Sequence, residues 1–81
     1  MYYVYVLKGE NGKLYIGRSD NLRNRIKDHI DGKVYTTKRM LNPKLFYYEA
    51  YTEKEASQER EKKLKQFGSS YNGLLKRLRL K

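Results

Sequence analysis

The apolar positions of this chain follow two periods. Tyr2 to Leu7 and Lys13 to Gly17 read as strands, joined by "KGENGK" (8–13), whose Asn-Gly pair is a hairpin signal. The spacing then changes to that of a helix from about Asp20 to Asp31, with Ser19 or Asp20 as N-cap and Leu22, Ile26 and Ile30 as the apolar stripe. Gly32 suits the left-handed residue beyond its end. "KVYTTKRMLNP" (33–43) reads as a basic loop, and Leu45 to Tyr51 as an aromatic third strand. A second helix is predicted from about Glu53 to Phe67, stopping at Gly68, and a short third one from about Ser70 to Leu78. The expectation is one α+β domain over residues 1–81, order ββαβαα, with a small three-stranded, mainly antiparallel sheet flanked by helices.

The length of the hairpin loop decides which side chains share a face. A two- or four-residue loop would put Tyr5 and Tyr15 on opposite faces. A three-residue loop, Glu10-Asn11-Gly12 with Gly12 left-handed, puts them together and pairs Gly9 with Lys13 and Leu7 with Tyr15. Tyr3, Tyr5, Leu7, Tyr15 and Gly17 then share one face, while Val4, Val6, Leu14 and Ile16 form a wholly aliphatic one. Val4 and Ile16 should be among the most buried residues, with Leu22, Ile26, Phe46 and Leu64 packed near them.

The first helix carries an anomaly. At about 100° per residue, Arg25 falls about 60° from the centre of the apolar stripe and His29 about 20° from it. Lys27, Asp28 and Asn24 face the other way, so the helix has solvent positions to spare. A local ion pair with Asp20 or Asp28 is one reading of Arg25, and a partly buried core position one reading of His29.

Charge narrows the partners. Nineteen Lys and Arg against nine Asp and Glu leave a net +10, a field that draws polyanions. The cations are spread over Lys38-Arg39, Arg60 to Lys65 and Lys76 to Lys81 rather than opposite one apolar face, which favours nucleic acid over a membrane surface. No apolar run approaches the roughly 20 residues of a membrane span, and the N-terminus lacks a signal peptide's regions. The absence of cysteine fits a reducing, cytoplasmic setting.

Tyr3-Val4-Tyr5, Tyr15-Ile16-Gly17, an arginine eight residues past that glycine, a histidine four further on, "REKKLK" (60–65) and "YN" (71–72) together make a specific pattern. It resembles the nuclease domain of the GIY-YIG superfamily, and most closely its small stand-alone bacterial members. Related domains occur in homing endonucleases, restriction enzymes and the incision subunit of nucleotide-excision repair. The resemblance implies that Tyr5, Tyr15, Arg25 and His29 are catalytic and that Glu61 holds one divalent ion, Mg2+ or Mn2+. It also implies that Gly17 and Asn72 shape the site. The first motif begins with Tyr3 instead of glycine but keeps Tyr5. "EASQEREKKLK" offers Glu59 as well as Glu61, and Glu61 is preferred because it follows Arg60 and precedes Leu64-Lys65. Lys38, Arg39, Arg23 and Lys65 are the candidate contacts to nucleic-acid backbone.

Phosphodiester chemistry accounts for the anomaly in physical terms. Arginine stays charged and its planar fork holds two phosphate oxygens, while His29 can bond a tyrosine hydroxyl or a phosphate oxygen. Tyrosine, with a reference pKa near 10, needs nearby positive charge to act as a base at neutral pH; Arg25 and a metal on Glu61 would provide it. Other chemistries fit poorly. One histidine and no cysteine exclude a His/Cys zinc finger, the scattered acids exclude a two-metal carboxylate cluster, and phosphate-loop and dinucleotide glycine motifs are absent. The expected function is metal-dependent DNA endonuclease activity with slight sequence preference. The alternative is a nucleic-acid-binding module of the same fold with little or no cleavage, RNA being a possible target.

Overall fold

An odd hairpin loop sets the sheet. Gly12 lies at φ +81°, its N–H donates to the Gly9 carbonyl at 3.0 Å, and the Gly9 N–H donates to the Lys13 carbonyl at 2.9 Å. Strand β1 (Tyr2–Lys8) therefore pairs antiparallel with β2 (Leu14–Ser19) with Leu7 opposite Tyr15 and Tyr5 opposite Gly17, as the loop length predicts. Strand β3 (Lys44–Tyr51) takes the other edge of β1, also antiparallel, giving the order β2-β1-β3. This computed structural model describes residues 1–34 and 40–79.

Three helices complete the predicted ββαβαα order: α1 (Leu22–Ile30), α2 (Lys54–Lys65) and α3 (Ser69–Arg77). The N-cap of α1 is Asn21, one residue beyond the positions expected, and its side chain accepts from the Asn24 N–H at 3.3 Å. Ser19 instead supports the approach to the helix, its hydroxyl accepting from the Asn21 N–H at 3.0 Å.

The helices divide between the two faces of the sheet. Val4, Val6 and Ile16 pack with Leu64 of α2 and Leu74 of α3, and Leu14, Tyr47, Tyr51 and Tyr71 pack around them. The other face carries Tyr5 and Leu7, which pack with Met40, Tyr15 and, from α1, Leu22 and Ile26. This corrects the expectation that Leu22 and Ile26 would join Val4 and Ile16. Burying the larger aliphatic surface takes the two later helices, and α1 is left to cover the tyrosines. Two other expectations fail. Ile30 is 62% exposed, because the inner face of α1 is Leu22, Arg25, Ile26 and His29, an i, i+3, i+4, i+7 set. Phe46 is 40% exposed, because a bulge sets Leu7 opposite Leu45 and Val6 opposite Tyr47, so that Phe46 lies between the paired positions. Its ring sits instead under the Lys8 ammonium, 5.2 Å from the centroid.

A polar tie joins β3 to α2. Arg60 grips both oxygens of Glu49, Nε to Oε1 at 2.8 Å and Nη2 to Oε2 at 3.0 Å. Tyr47 donates to the same carboxylate at 2.6 Å and Tyr51 at 2.5 Å. Burial alone would raise the Glu49 carboxyl, but the guanidinium and the two hydroxyls outweigh it and hold it below its ordinary value. Helix α2 ends at Lys65, two residues before the predicted limit, and Phe67 rather than Gly68 takes the left-handed conformation, at φ +56°. Among the described residues no helix is long and apolar enough to cross a membrane.

Candidate active site

The register brings Tyr5 over Gly17, and there the site begins. A Cβ on residue 17 would lie 2.4 Å from the Tyr5 hydroxyl oxygen, 2.5 Å from its Cζ and 2.9 Å from Cε1 of Tyr15. Contacts under 3.0 Å essentially never occur, so only glycine lets the Tyr5 ring cross β2. Its hydroxyl thereby comes to 2.7 Å from Nε2 of His29. The His29 imidazole also lies 4.9 Å, centroid to centroid, from the Tyr15 ring. Two turns of α1 separate His29 from the Asn21 cap, so the cap that orients the helix also sets the height of the imidazole above the sheet.

Arg25, one turn before His29, interacts with the hydroxyls of both Tyr5 and Tyr15, and those contacts raise its own pKa. Burial pushes the Tyr5 hydroxyl up to about 12, against the opposing pull of Arg25, and the negative charge of Glu61 adds to the rise. Arg25 does pull the Tyr5 pKa down, as expected, but desolvation outweighs that pull, and without the further charge of a metal on Glu61 the Tyr5 hydroxyl is protonated at neutral pH. His29 moves the opposite way. Burial, and then the Arg25 charge, lower it from 6.5, with Asp28 opposing, so the imidazole is neutral at pH 7. A proton is therefore shared between a neutral hydroxyl and a neutral imidazole beside a fixed cation. Such an arrangement can take a proton from one side and hold an anion on the other.

Glu61 approaches from α2, on the opposite side of the sheet from α1. Its Oε1 lies 3.6 Å from Arg18 Nε and its Oε2 3.4 Å from Lys65 Nζ, with the side chain 21% exposed. Both separations exceed the roughly 2.7–2.9 Å of a tight charge-assisted hydrogen bond, and Arg18 Nε is buried without a hydrogen-bond partner. Glu59 differs: it is 68% exposed and pairs with Lys63 along its own helix. Among the described residues no three His, Cys, Asp or Glu side chains gather as a metal cage. A partly exposed carboxylate held, among the described residues, by loose ion pairs to Arg18 and Lys65 still suits Mg2+ or Mn2+, which keep several waters and use one or two carboxylates beside substrate phosphates.

The other expected positions are dispersed. Asn72 is exposed on α3, its backbone N–H bonded to the Gly68 carbonyl at 3.0 Å. Arg23 is exposed on α1, at the rim of a groove of about 510 Å³ that Tyr3 and Tyr48 also line. Lys65 reaches Glu61. Lys38 and Arg39 lie outside the described residues. Sequence reasoning passed over Arg18. The signal was available, since the residue after Gly17 must point to the opposite face, where α2 lies.

Comparison with known proteins shows the family and the fold. The family model described as the GIY-YIG catalytic domain matches residues 1–74. A UPF0213 protein of Bacillus licheniformis is 42% identical over 70% of this chain and 61% of its own length. A UPF0213 protein of Clostridium perfringens is 42% identical over 75% of this chain and 67% of its own. The matched segment thus spans about two thirds of these relatives. The solution structure of a UPF0213 protein from Bacillus halodurans superposes with a TM-score of 0.59 at 29% identity, over 96% of this chain and 85% of that one. Domains of this kind are of nuclease type, act on nucleic acid and generally use a divalent metal. With its paired tyrosines, its Arg25-His29 helix and residues 1–74 matching the catalytic-domain model, the chain belongs to the GIY-YIG family.

Proposed function

We propose that this domain is a metal-dependent endonuclease that hydrolyses DNA phosphodiester bonds beside Gly17, with Tyr5, Tyr15, Arg25 and His29 on one side and, on the other, Glu61, whose charge is felt at the Tyr5 hydroxyl, holding one Mg2+ or Mn2+. The observation that carries the reading is the 2.7 Å contact between the Tyr5 hydroxyl and His29 Nε2, formed across Gly17. A hydroxyl held near pKa 12 is a poor base alone. Backed by a neutral imidazole, it gives its proton to Nε2 as it takes one from the attacking water, so no free phenolate is needed. Because Tyr5 is 0% exposed, that water reaches the hydroxyl only when the entering phosphate displaces the side chains over it. Arg25 binds a non-bridging oxygen of the phosphate and stabilises the charge that builds there. Tyr15 packs against the imidazole and fixes its plane. A divalent ion on Glu61 would supply further charge stabilisation to the phosphate and the leaving oxygen.

Incubation with supercoiled, single-stranded and branched DNA, in Mg2+, Mn2+ or chelator, tests the proposal. Metal-dependent nicking that Tyr5→Phe and His29→Gln each abolish is the expected result. Binding without cleavage of any DNA in either metal would leave a nucleic-acid-binding module, a role for which the +10 charge alone suffices.

A further inference from the structure

Beside the tyrosine cluster, on the open edge of β2, lies an apolar pocket of about 320 Å³ lined by Leu14, Tyr15, Ile16, Lys65, Phe67 and Tyr71. That volume is at the lower end of small-ligand sites, about 300–1,000 Å³. Two of its walls belong to the candidate site: Tyr15 contacts His29, and Lys65 pairs with Glu61.

Phe67 is the unusual member. It occupies the left-handed position after α2 at φ +56°, where a bulky residue meets a steric penalty that glycine escapes. The adjoining Gly68, which would suit that conformation, does not take it. Nor is the ring hidden, for it is 61% exposed and stands edge-on to Tyr71 at 4.8 Å between centroids. A strained backbone that presents an aromatic ring to water at the rim of a pocket serves the fold poorly and a planar ligand well.

We infer that this pocket receives one unpaired nucleobase of the strand whose phosphate lies at Arg25, with Phe67 as the stacking surface and Lys65 beside the neighbouring phosphate. The inference rests on the nucleic-acid reading of the adjoining site. The occupant follows from position and charge. Lys65 forms one wall of the pocket and Tyr15, which Arg25 contacts, another. A ligand that meets both cations is a polyanion, and the planar apolar groups that a nucleic acid carries at each step are its bases.

The test measures binding in chelator, where cleavage does not intervene. Its probes are a short single-stranded DNA oligomer and an abasic deoxyribose-phosphate oligomer of equal length. Phe67→Gly removes the ring and also the strain, so its melting temperature should equal or exceed that of wild type. Its affinity for the base-bearing oligomer should fall about tenfold, within the range for losing one stacked base, while affinity for the abasic oligomer stays unchanged. Phe67→Tyr should restore the preference for bases. If Phe67→Gly binds both oligomers as wild type does, or loses both equally, the base pocket is overturned whatever the protein's cleavage activity. A wild type that cuts nothing, yet prefers bases through Phe67, would remove the nuclease reading and uphold the pocket.

Discussion

Tyr5 and His29 meet at 2.7 Å from a strand and a helix, and both are withdrawn from water, at 0% and 1% exposure. The shared proton is therefore held in a setting where each group resists its charged form. His29 cannot accept a proton from Tyr5 once it is protonated itself. Cleavage should rise with pH through a midpoint below 6.5 and stay level through the mildly alkaline range, since Tyr5 titrates only near 12. A pH–rate profile under single-turnover conditions checks this.

The same shift bears on stability. The folded His29 pKa lies below its ordinary 6.5, so between the two values the unfolded chain binds more protons. That contribution is complete above about 6.5 and declines as pH falls toward the folded value. Glu49, also depressed but from 4.5, acts in a separate window: its contribution is present above 4.5 and lost below it as pH falls through the folded value. Melting temperatures across pH should show both declines in wild type, and only the lower one in His29→Gln.

Gly17→Ala should damage the site from inside. Its Cβ would stand 2.4 Å from the Tyr5 hydroxyl oxygen, and forcing the ring aside should destabilise the fold by about 1–3 kcal/mol. Denaturant titration gives the stability loss. Cleavage by the remaining folded protein should fall with it, because the contact to His29 is displaced.

Glu61→Gln keeps size and shape while removing the charge proposed to hold the metal. It should abolish metal-dependent cleavage and leave DNA affinity the same or slightly higher. Arg25→Ala should lower the rate by about a hundredfold or more, with far less effect on binding, since one phosphate contact changes the salt slope by about one. Glu59→Gln and Lys27→Ala, both at exposed positions, should cut as wild type does. Rates and binding isotherms on proteins shown by thermal melts to be folded separate these outcomes.

Arg60→Ala should show the converse. It leaves Glu49 with two tyrosine hydroxyls and no guanidinium, and the loss of hydrogen bonds to a charged group should destabilise the protein by about 2 kcal/mol. The cleavage rate per folded molecule should be preserved, as the tie lies on the face away from Tyr5.

Binding should be strongly salt-dependent. Raising salt from about 50 to 200 mM should weaken it by at least tenfold, because backbone contacts release counterions. Anisotropy titrations across that range provide the measurement.

The front half of the site was legible because parity carries it. An Asn-Gly turn with an odd loop leaves one register, and that register alone puts Tyr5 opposite Gly17. The positions of Arg25 and His29 beside the stripe were likewise readable from helical angle. What escaped was the distribution of helices over the faces. Leu22 and Ile26 are compatible with either side of the sheet, and the choice depends on how much surface α2 and α3 bury together, a property of no single segment. The end of α2 misled for a related reason. Gly68 is the natural left-handed residue, and nothing local says that Phe67 takes that position instead.

The inner face of α1 sets a limit on how robust this protein can be. Of the four residues that seat the helix, two are ordinary anchors and two are Arg25 and His29. An apolar pair in their place would hold the helix more firmly than a guanidinium and an imidazole held away from water. Selection for heat resistance alone would therefore erode the proposed chemistry, and a thermophilic descendant must reinforce itself elsewhere, for instance along the tie between Glu49 and Arg60.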